Sequence, residues 1–189
     1  DLDLINWFCR SKATKAASFG CRNFFTPENE YIHEKYGHGV FAKFRDPHAL
    51  PSPFTSDSDL MDNQVAIFEY RNGVRVQFQC TMSNVIPTRR MYFSCSEGTI
   101  ELNLYERFIR WRVLGTDEEK TLSFKSADGH GGGDNYIMKE LFHTMTTNEP
   151  PKCSGNEGLE SAVLALAIDQ AARTGQVVDL EPVWKKLGR

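Results

Sequence analysis

Hydrophobic and polar residues alternate most regularly near the middle of the chain. Every second residue from Val74 to Met82 is apolar, and polar residues such as Gln77 and Gln79 stand between them. A period of two predicts a β-strand with one apolar and one polar face. A second candidate strand, residues 64–70, precedes it. The turn between the two strands, residues 71–73, contains the Asn-Gly pair that is typical of β-hairpins.

Further strands are predicted on both sides of this hairpin. Residues 14–25 fit a strand near the start of the chain, and residues 177–180 fit a short one near its end. Four more strands follow the hairpin, at residues 89–95, 99–104, 107–114 and 120–124, and turn residues separate them. Consecutive strands with short turns predict an antiparallel meander.

Three segments instead have the 3.6-residue period of amphipathic helices. The chain begins inside such a pattern, with apolar residues of one stripe at Leu2, Ile5 and Cys9. Residues 135–147 form the second, with Asp134 as the expected N-cap. The third covers residues 157–174 and ends at Gly175, a residue suited to helix termination.

Because the strands are segregated from the two long helices, the order of elements predicts an α+β fold. We expect an open, mainly antiparallel β-sheet with both long helices packed on one face. The other face, with the glutamines and threonine of residues 74–82 and the arginines and aromatics of residues 107–114, suits contact with a second copy of the chain. Residues 26–63 contain four prolines and are predicted to be irregular, and a connection of this length is usually functional or covers a partner.

Charge and composition exclude several classes of protein. The 189 residues hold 22 basic and 25 acidic side chains, so no basic excess is available for binding nucleic acid. No run of 18 apolar residues indicates a membrane span. The five cysteines, an odd number without a C-x-x-C pair, fit scattered and mostly buried thiols of a cytoplasmic protein better than a disulfide framework. The chain starts at Asp1 rather than Met, so we expect that its natural N-terminus was removed.

The glycine-rich segment Gly129-His130-Gly131-Gly132-Gly133-Asp134 is the sharpest candidate for a functional site. It differs from the dinucleotide-binding pattern G-x-G-x-x-G at its sixth position, where Asp134 would repel a pyrophosphate. One interpretation is a flexible turn with a capping aspartate. The other is a substrate-binding turn in which the small glycines admit a ligand while His130 faces a pocket.

Other polar clusters give weaker signals. Three histidines in the irregular stretch, His33, His38 and His48, lie near Glu34 and Asp46, but their spacing matches no metal-ligand pattern. No metal site is therefore predicted. The neighbouring acids Asp57, Asp59 and Asp62 cannot be assigned to acid–base chemistry from adjacency alone.

Several motifs resemble those of the Gfo/Idh/MocA oxidoreductases, the family of glucose–fructose oxidoreductase and inositol dehydrogenase. The opening residues 1–8 resemble its segment H-D-x-D-L-x-x-W. Four later segments also resemble motifs of the family and occur in the same order as in its members. They are Asp62-Asn63-Gln64, residues 95–101, the turn at residues 129–134, and the closing helix with its Val177-Val178-Asp179-Leu180 end. At Cys95 and Ser96 the chain departs from the usual glycine and threonine.

The resemblance implies a protein of two parts, of which residues 1–189 would be the second. An N-terminal Rossmann domain, absent from this chain, would bind NAD or NADP. This C-terminal domain would supply the pocket for a sugar, cyclitol or related polyol and the homo-oligomer interface. The family's catalytic Asp and His would lie four residues and one residue before Asp1. We therefore expect this chain alone to bind no cofactor and to be inactive, with His130 and Asp134 as substrate-binding residues. The alternative is a stand-alone, non-catalytic binding or scaffolding domain of the same fold.

Overall fold

The computed structural model describes residues 1–37, 52–125 and 130–189. In chain order these residues form α1 (Leu2–Cys9), β1 (Ala13–Cys21), α2 (Glu30–Tyr36), β2 (Asn63–Tyr70), β3 (Arg75–Thr81), β4 (Arg90–Cys95), β5 (Gly98–Asn103), β6 (Phe108–Val113), β7 (Glu119–Ser123), α3 (Gly133–Thr147), α4 (Gly155–Thr174), β8 (Val178–Asp179) and α5 (Glu181–Lys186). They divide into two compact units. Unit 1 comprises Asp1–Ser83 and Cys153–Arg189, and unit 2 comprises Asn84–Lys152.

The strands form two four-stranded antiparallel sheets. The first sheet has the order β3-β2-β1-β8 and lies in unit 1, while the second has the order β4-β5-β6-β7 and lies in unit 2. The predicted α+β class and antiparallel pairing are therefore confirmed, but two sheets stand where one was expected. The meander is interrupted between β3 and β4, where Pro87 lacks the N–H group that a ladder requires.

The core of unit 1 follows from the alternation along β1 and β2. Ala66, Phe68 and Tyr70 are successive inward residues of β2 and are at most 3% exposed. They meet α4, which contributes Leu164 and Ile168 to the same buried cluster. The predicted stripe of α1 is confirmed, because Leu2, Ile5 and Cys9 pack against this cluster, and so is the apolar face of β3 at Val76 and Phe78.

Two hydrogen bonds join distant parts of the chain inside unit 1. The indole Nε1 of Trp184 in α5 donates to the carbonyl of Ala13 at 2.7 Å, and Trp184 is only 1% exposed. The hydroxyl of Tyr70 donates to Oδ1 of Asn6 in α1 at 2.7 Å. Burial raises the pKa of Tyr70. The neutral phenol therefore remains a donor at any ordinary pH, and α1 and α5 are both held against the first sheet.

Unit 2 has a different character. The second sheet has Met91, Phe93, Ile100, Leu102, Ile109, Trp111, Val113 and Leu122 on one face and, apart from Tyr92 and Phe108, polar residues on the other. Among the described residues of unit 2, only Asn103 is buried. Helix α3 contains no buried residue, so the expectation that this helix covers a sheet face as α4 does is not met.

Several smaller expectations were wrong. The stretch 26–63 contains a helix, α2, and the chain ends with a further helix, α5, which begins next to Pro182. The cysteines are thiols, as expected, but four of them, Cys21, Cys80, Cys95 and Cys153, are exposed rather than buried. Cys21, Cys80 and Cys95 lie at or next to the last residue of β1, β3 and β4, and Cys153 precedes α4. Among the described residues, no helix combines the length and the apolar character needed to cross a bilayer.

Candidate substrate-binding site

The glycine-rich turn enters α3 through two residues with left-handed backbone. Gly131 has φ 69° and Gly132 has φ 85°, values that residues with a Cβ rarely adopt. Gly132 is the N-cap of α3 and the N–H of Gly133 donates to the carbonyl of His130 at 3.2 Å. The predicted turn before a helix is confirmed for residues 130–134, and Gly129 lies outside the described residues. Backbone conformation therefore favours glycine at both positions, whereas a Cβ at Gly132 would meet open space.

His130 and Asp134 contact each other directly. The ring nitrogen Nδ1 of His130 lies 2.8 Å from Oδ2 of Asp134, and the two side chains are 76% and 65% exposed. Asp134 is therefore not the N-cap of α3, which corrects the sequence prediction. It lies in the first turn of the helix, and the structure assigns the helix no side-chain capping bond. His130 precedes the left-handed Gly131 and Gly132 and lies four residues, about one helical turn, before Asp134. The carboxylate of Asp134 therefore contacts the imidazole of His130 instead of the helix backbone.

This contact orients the imidazole. A neutral ring that donates its Nδ1–H to a carboxylate presents Nε2 as an acceptor, while a protonated ring donates from both nitrogens. An exposed pair of this kind adds little to stability, because water screens it. The contact favours one orientation of the ring, which remains largely exposed. The arrangement is suited to receiving a hydroxyl group of a ligand.

A second histidine–carboxylate pair occurs at the other end of the same helix. Nε2 of His143 lies 2.8 Å from Oε2 of Glu149, with side chains 55% and 68% exposed. His143 also borders a shallow groove of about 470 Å³ along one side of α3, together with Met138 and Phe142. His143 follows no glycine turn, so the structure offers a matched comparison for His130.

The histidines of the irregular stretch do not form a metal site in the described residues. His33 lies in α2, with Nδ1 3.6 Å from Oε1 of Glu30, and Ser52 donates to the other oxygen of Glu30 at 3.0 Å. His38, His48 and Asp46 lie outside the described residues. Over residues 1–37, 52–125 and 130–189, no three potential metal-binding side chains come together.

The acidic residues after this stretch have separate roles. Asp62 is 4% exposed and accepts hydrogen bonds from the backbone N–H groups of Phe24 and Phe25, both at 2.9 Å, and from Asn23 at 3.3 Å. Burial raises the pKa of the Asp62 carboxyl, but these donors and the amide of Asn63 together hold the pKa below its ordinary value. Asp59, in contrast, is exposed at the surface. Asp62 is thus an anchor for the segment after β1, which sequence adjacency could not reveal.

The polar face of the hairpin extends across the first sheet. In register, Phe19 of β1 is opposite Val65 of β2, which is opposite Gln79 of β3, and Ile67 is opposite Gln77. Phe19 is 80% exposed, Ile67 60% and Val65 45%. We call these five residues the outer face of the first sheet. The sequence predicted its glutamines but not the apolar residues that β1 and β2 add.

Comparison with known proteins adds a fold-level match. No family model matches the chain. Among curated proteins, YteT of Bacillus subtilis, whose name is that of an oxidoreductase, is 21% identical over 187 residues; the match covers 74% of this chain and 44% of YteT. The chain therefore spans less than half the length of this relative.

Three solved structures match nearly the whole chain. The UDP-N-acetylglucosamine 3-dehydrogenase GnnA from Acidithiobacillus ferrooxidans has a TM-score of 0.64 at 13% identity, over 92% of this chain and 44% of its own. The aldose-aldose oxidoreductase from Caulobacter crescentus, complexed with glycerol, has a TM-score of 0.64 at 14% identity, over 95% and 44%. The WlbA dehydrogenase from Bordetella pertussis, in complex with NADH and UDP-GlcNAcA, has a TM-score of 0.58 at 16% identity, over 95% and 42%.

These matches concern the fold. All three structures are oxidoreductases of the Gfo/Idh/MocA type, so the resemblance noted in the sequence is confirmed at the level of architecture. The portion that matches is in each case less than half of the solved chain. The site residues His130 and Asp134 remain predictions, which the comparisons do not test.

Proposed function

We propose that this chain is the substrate-binding and oligomerisation domain of an NAD(P)-dependent oxidoreductase that acts on a sugar, cyclitol or related polyol. The main support is the match of more than nine-tenths of the chain to part of three sugar-acting oxidoreductases or dehydrogenases. A second support is the His130–Asp134 pair, which presents an oriented imidazole from a turn of small residues.

The chain's own residues do not fit a nicotinamide dinucleotide. A Rossmann site needs a parallel strand followed by a helix whose N-terminus faces the pyrophosphate. Both sheets here are antiparallel in the described residues, and the glycine turn is followed by the carboxylate of Asp134 in the first turn of α3. In this proposal the dinucleotide is held by a separate domain of the full-length protein, and the hydride and proton transfers take place there.

Within the proposal, His130 binds the substrate and is not the catalytic base. Its imidazole exchanges a hydrogen bond with a hydroxyl of the polyol, and Asp134 keeps the ring oriented. The left-handed Gly131 and Gly132 leave room beside the ring, because they have no side chains that would collide with a substrate.

The test of the proposal is an activity screen. The full-length natural protein that contains this chain is supplied with NAD or NADP and with UDP-N-acetylglucosamine, aldoses and myo-inositol, and reduced nicotinamide is followed by absorbance. Dinucleotide reduction with at least one polyol is expected. The isolated chain is the control and should give no turnover and no micromolar dinucleotide binding by calorimetry. A folded full-length protein that binds dinucleotide but oxidises none of these compounds would favour the non-catalytic binding domain.

The outer face of the first sheet is proposed as the oligomer interface. It combines exposed Phe19, Val65 and Ile67 with two glutamines, a mixture suited to a two-fold contact between copies. Light scattering should give a dimer mass at micromolar concentration, and Phe19→Glu should shift the protein to monomer. Tyr31→Glu, at an exposed aromatic on α2 in the same unit, is the matched control and should leave the dimer intact. A wild-type monomer at these concentrations would contradict the proposal.

A further inference from the structure

A hollow of about 590 Å³ lies over the polar face of the second sheet. Strand register arranges its side chains in two rows. Tyr92 of β4 is opposite Glu101 of β5, which is opposite Arg110 of β6. Thr99 of β5 is opposite Arg112 of β6, which is opposite Glu119 of β7. One face of the four strands therefore brings together an aromatic ring, two carboxylates, two guanidinium groups and a hydroxyl.

The charges in this hollow compensate one another. Nη2 of Arg110 donates to Oε2 of Glu101 at 2.5 Å, and Nη1 lies 3.8 Å from Oε1 of Glu119. Arg112 donates through Nε to the carbonyl of Thr116 at 2.7 Å and through Nη2 to Asp117 at 2.7 Å. An anion would therefore meet the carboxylates, and a cation would meet the guanidinium groups. Neither kind of ion is favoured by such a surface.

A neutral ligand with many hydroxyl groups fits this surface better. Each paired carboxylate oxygen retains a lone pair for a hydroxyl donor, and each guanidinium has five N–H groups, of which only some are used. Adjacent hydroxyls of a sugar ring can therefore donate to Glu101 or Glu119 and accept from Arg110. The open, shallow form of the hollow is compatible with one ring lying flat on the sheet.

Tyr92 supplies the apolar part of this recognition. Its side chain is 67% exposed at the start of the first row. An aromatic ring presents a flat apolar face with a partial negative charge, which attracts the C–H groups on the apolar side of a pyranose. A surface with one aromatic ring beside paired acids and arginines matches a molecule that has one apolar side and a rim of hydroxyls.

We infer that this hollow on the second sheet binds a neutral carbohydrate, with Tyr92 stacking on a pyranose ring and the Glu101–Arg110 pair binding its hydroxyls. The inference goes beyond the proposed function. It concerns a different group of side chains from His130 and Asp134, and it requires neither a dinucleotide nor turnover.

The experiment is an NMR titration of the full chain. Backbone amide shifts of the ¹⁵N-labelled protein are followed with D-glucose, N-acetyl-D-glucosamine, maltose and myo-inositol as probes, each up to about 50 mM, the range in which weak sites saturate. Shifts are expected at residues on this face of β4–β7, with millimolar affinity for at least one probe. Tyr92→Ala should weaken that affinity at least about fivefold, whereas Tyr92→Phe should retain most of it. Tyr105→Ala, at a 58% exposed tyrosine that does not line the hollow, is the matched control and should change nothing.

Three results would overturn the inference. The first is the absence of localised shifts with every probe. The second is an equal response of wild type and Tyr92→Ala, provided that the variant keeps the wild-type spectrum elsewhere. The third is a change at these amides that depends on protein concentration alone, because a second copy would then cover the face. Failure of the redox assay would leave this binding result unaffected, so the two proposals fail separately.

Discussion

Unit 1 and unit 2 each contain a four-stranded antiparallel sheet, yet they bury side chains very differently. In unit 1 the alternate residues of β1 and β2 meet α1, α4 and α5, and the aromatic rings of Phe68, Tyr70 and Trp184 are at most 3% exposed. In unit 2 the apolar face of the sheet keeps residues such as Val113 and Leu122 about half exposed. A sheet gains independent stability only when one face is covered.

The two units are therefore suited to different tasks. Unit 1 is suited to stabilising the fold, and unit 2 is suited to contacting a ligand. Unit 1 has the buried residues that can stabilise it by the hydrophobic effect. Unit 2 has few buried groups but contains the oriented imidazole of His130 and the charged hollow on the second sheet. Residues that bind ligands must remain accessible, and regions with little burial are where such residues are commonly found.

The largest expected effect comes from replacing one tryptophan in each unit, Trp184 in unit 1 or Trp111 in unit 2, by alanine. Trp184→Ala removes a fully buried ring and its bond to Ala13, and should lower the free energy of unfolding by about 3–5 kcal/mol. Trp111→Ala, at a partly buried ring of the second sheet, should cost only about 1 kcal/mol. Urea unfolding at low protein concentration measures both. Equal losses would mean that the two units are buried alike, contrary to the comparison.

The next effect concerns Asp62 and pH. Its folded-state pKa lies below its ordinary value of 3.8. The stability that it contributes is therefore present above that value and is lost as the pH falls through the lower, folded-state pKa. Asp62→Asn should cost about 1–3 kcal/mol at neutral pH, because charged acceptor bonds are lost, and should flatten the acid branch of the stability curve.

The matched control is Asp59→Asn, at an exposed carboxylate three residues away. Urea unfolding from pH about 6 to about 3 compares the three proteins. Asp59→Asn should follow the wild type throughout. If Asp62→Asn retains the wild-type acid branch, Asp62 does not anchor the segment after β1.

A smaller effect is expected at the helix starts, which also differ between the units. Helix α4 begins with a capping box, in which Ser154 accepts from the N–H of Asn156 at 3.1 Å and its own N–H donates to Glu157 at 2.6 Å. Helix α3 begins at Gly132 without such a bond. Ser154→Ala should cost about 1 kcal/mol, while Ser154→Thr should cost much less. Amide exchange in the first turn of α4 reports both, and unchanged protection in Ser154→Ala would refute the cap.

Sequence patterns predicted the elements whose residues interact locally. The alternation from Val74 to Met82 and the Asn72-Gly73 turn define the β2–β3 hairpin, and Gly73 has the expected left-handed φ of 82°. The stripe of α1 and the C-terminal Gly175 of α4 follow from the 3.6-residue period. Ser154 and Glu157 form the S-x-x-E pattern, a signal present in the sequence that would have placed the start of α4 correctly.

The features that were missed depend on contacts between distant residues. Asp62 looks like one of three loop acids, and only donors 37 to 39 residues earlier make it an anchor. The division into two sheets depends on which strands pair after Pro87, which periodicity does not specify. At the site, the glycine turn was predictable from composition, but the use of Asp134 depended on whether its carboxylate reached the helix backbone or the imidazole.

The most direct test of the central claim, that unit 2 supplies a substrate-binding histidine, compares His130→Ala with His143→Ala in the full-length protein. Both histidines contact a carboxylate at 2.8 Å, and both are more than half exposed. Loss of a substrate hydrogen bond costs about 0.5–3 kcal/mol. His130→Ala should therefore lower kcat/KM for the polyol about threefold to a hundredfold, with thermal unfolding unchanged. His143→Ala should match the wild type. Wild-type kinetics in His130→Ala, or equal losses in both variants, would contradict the account.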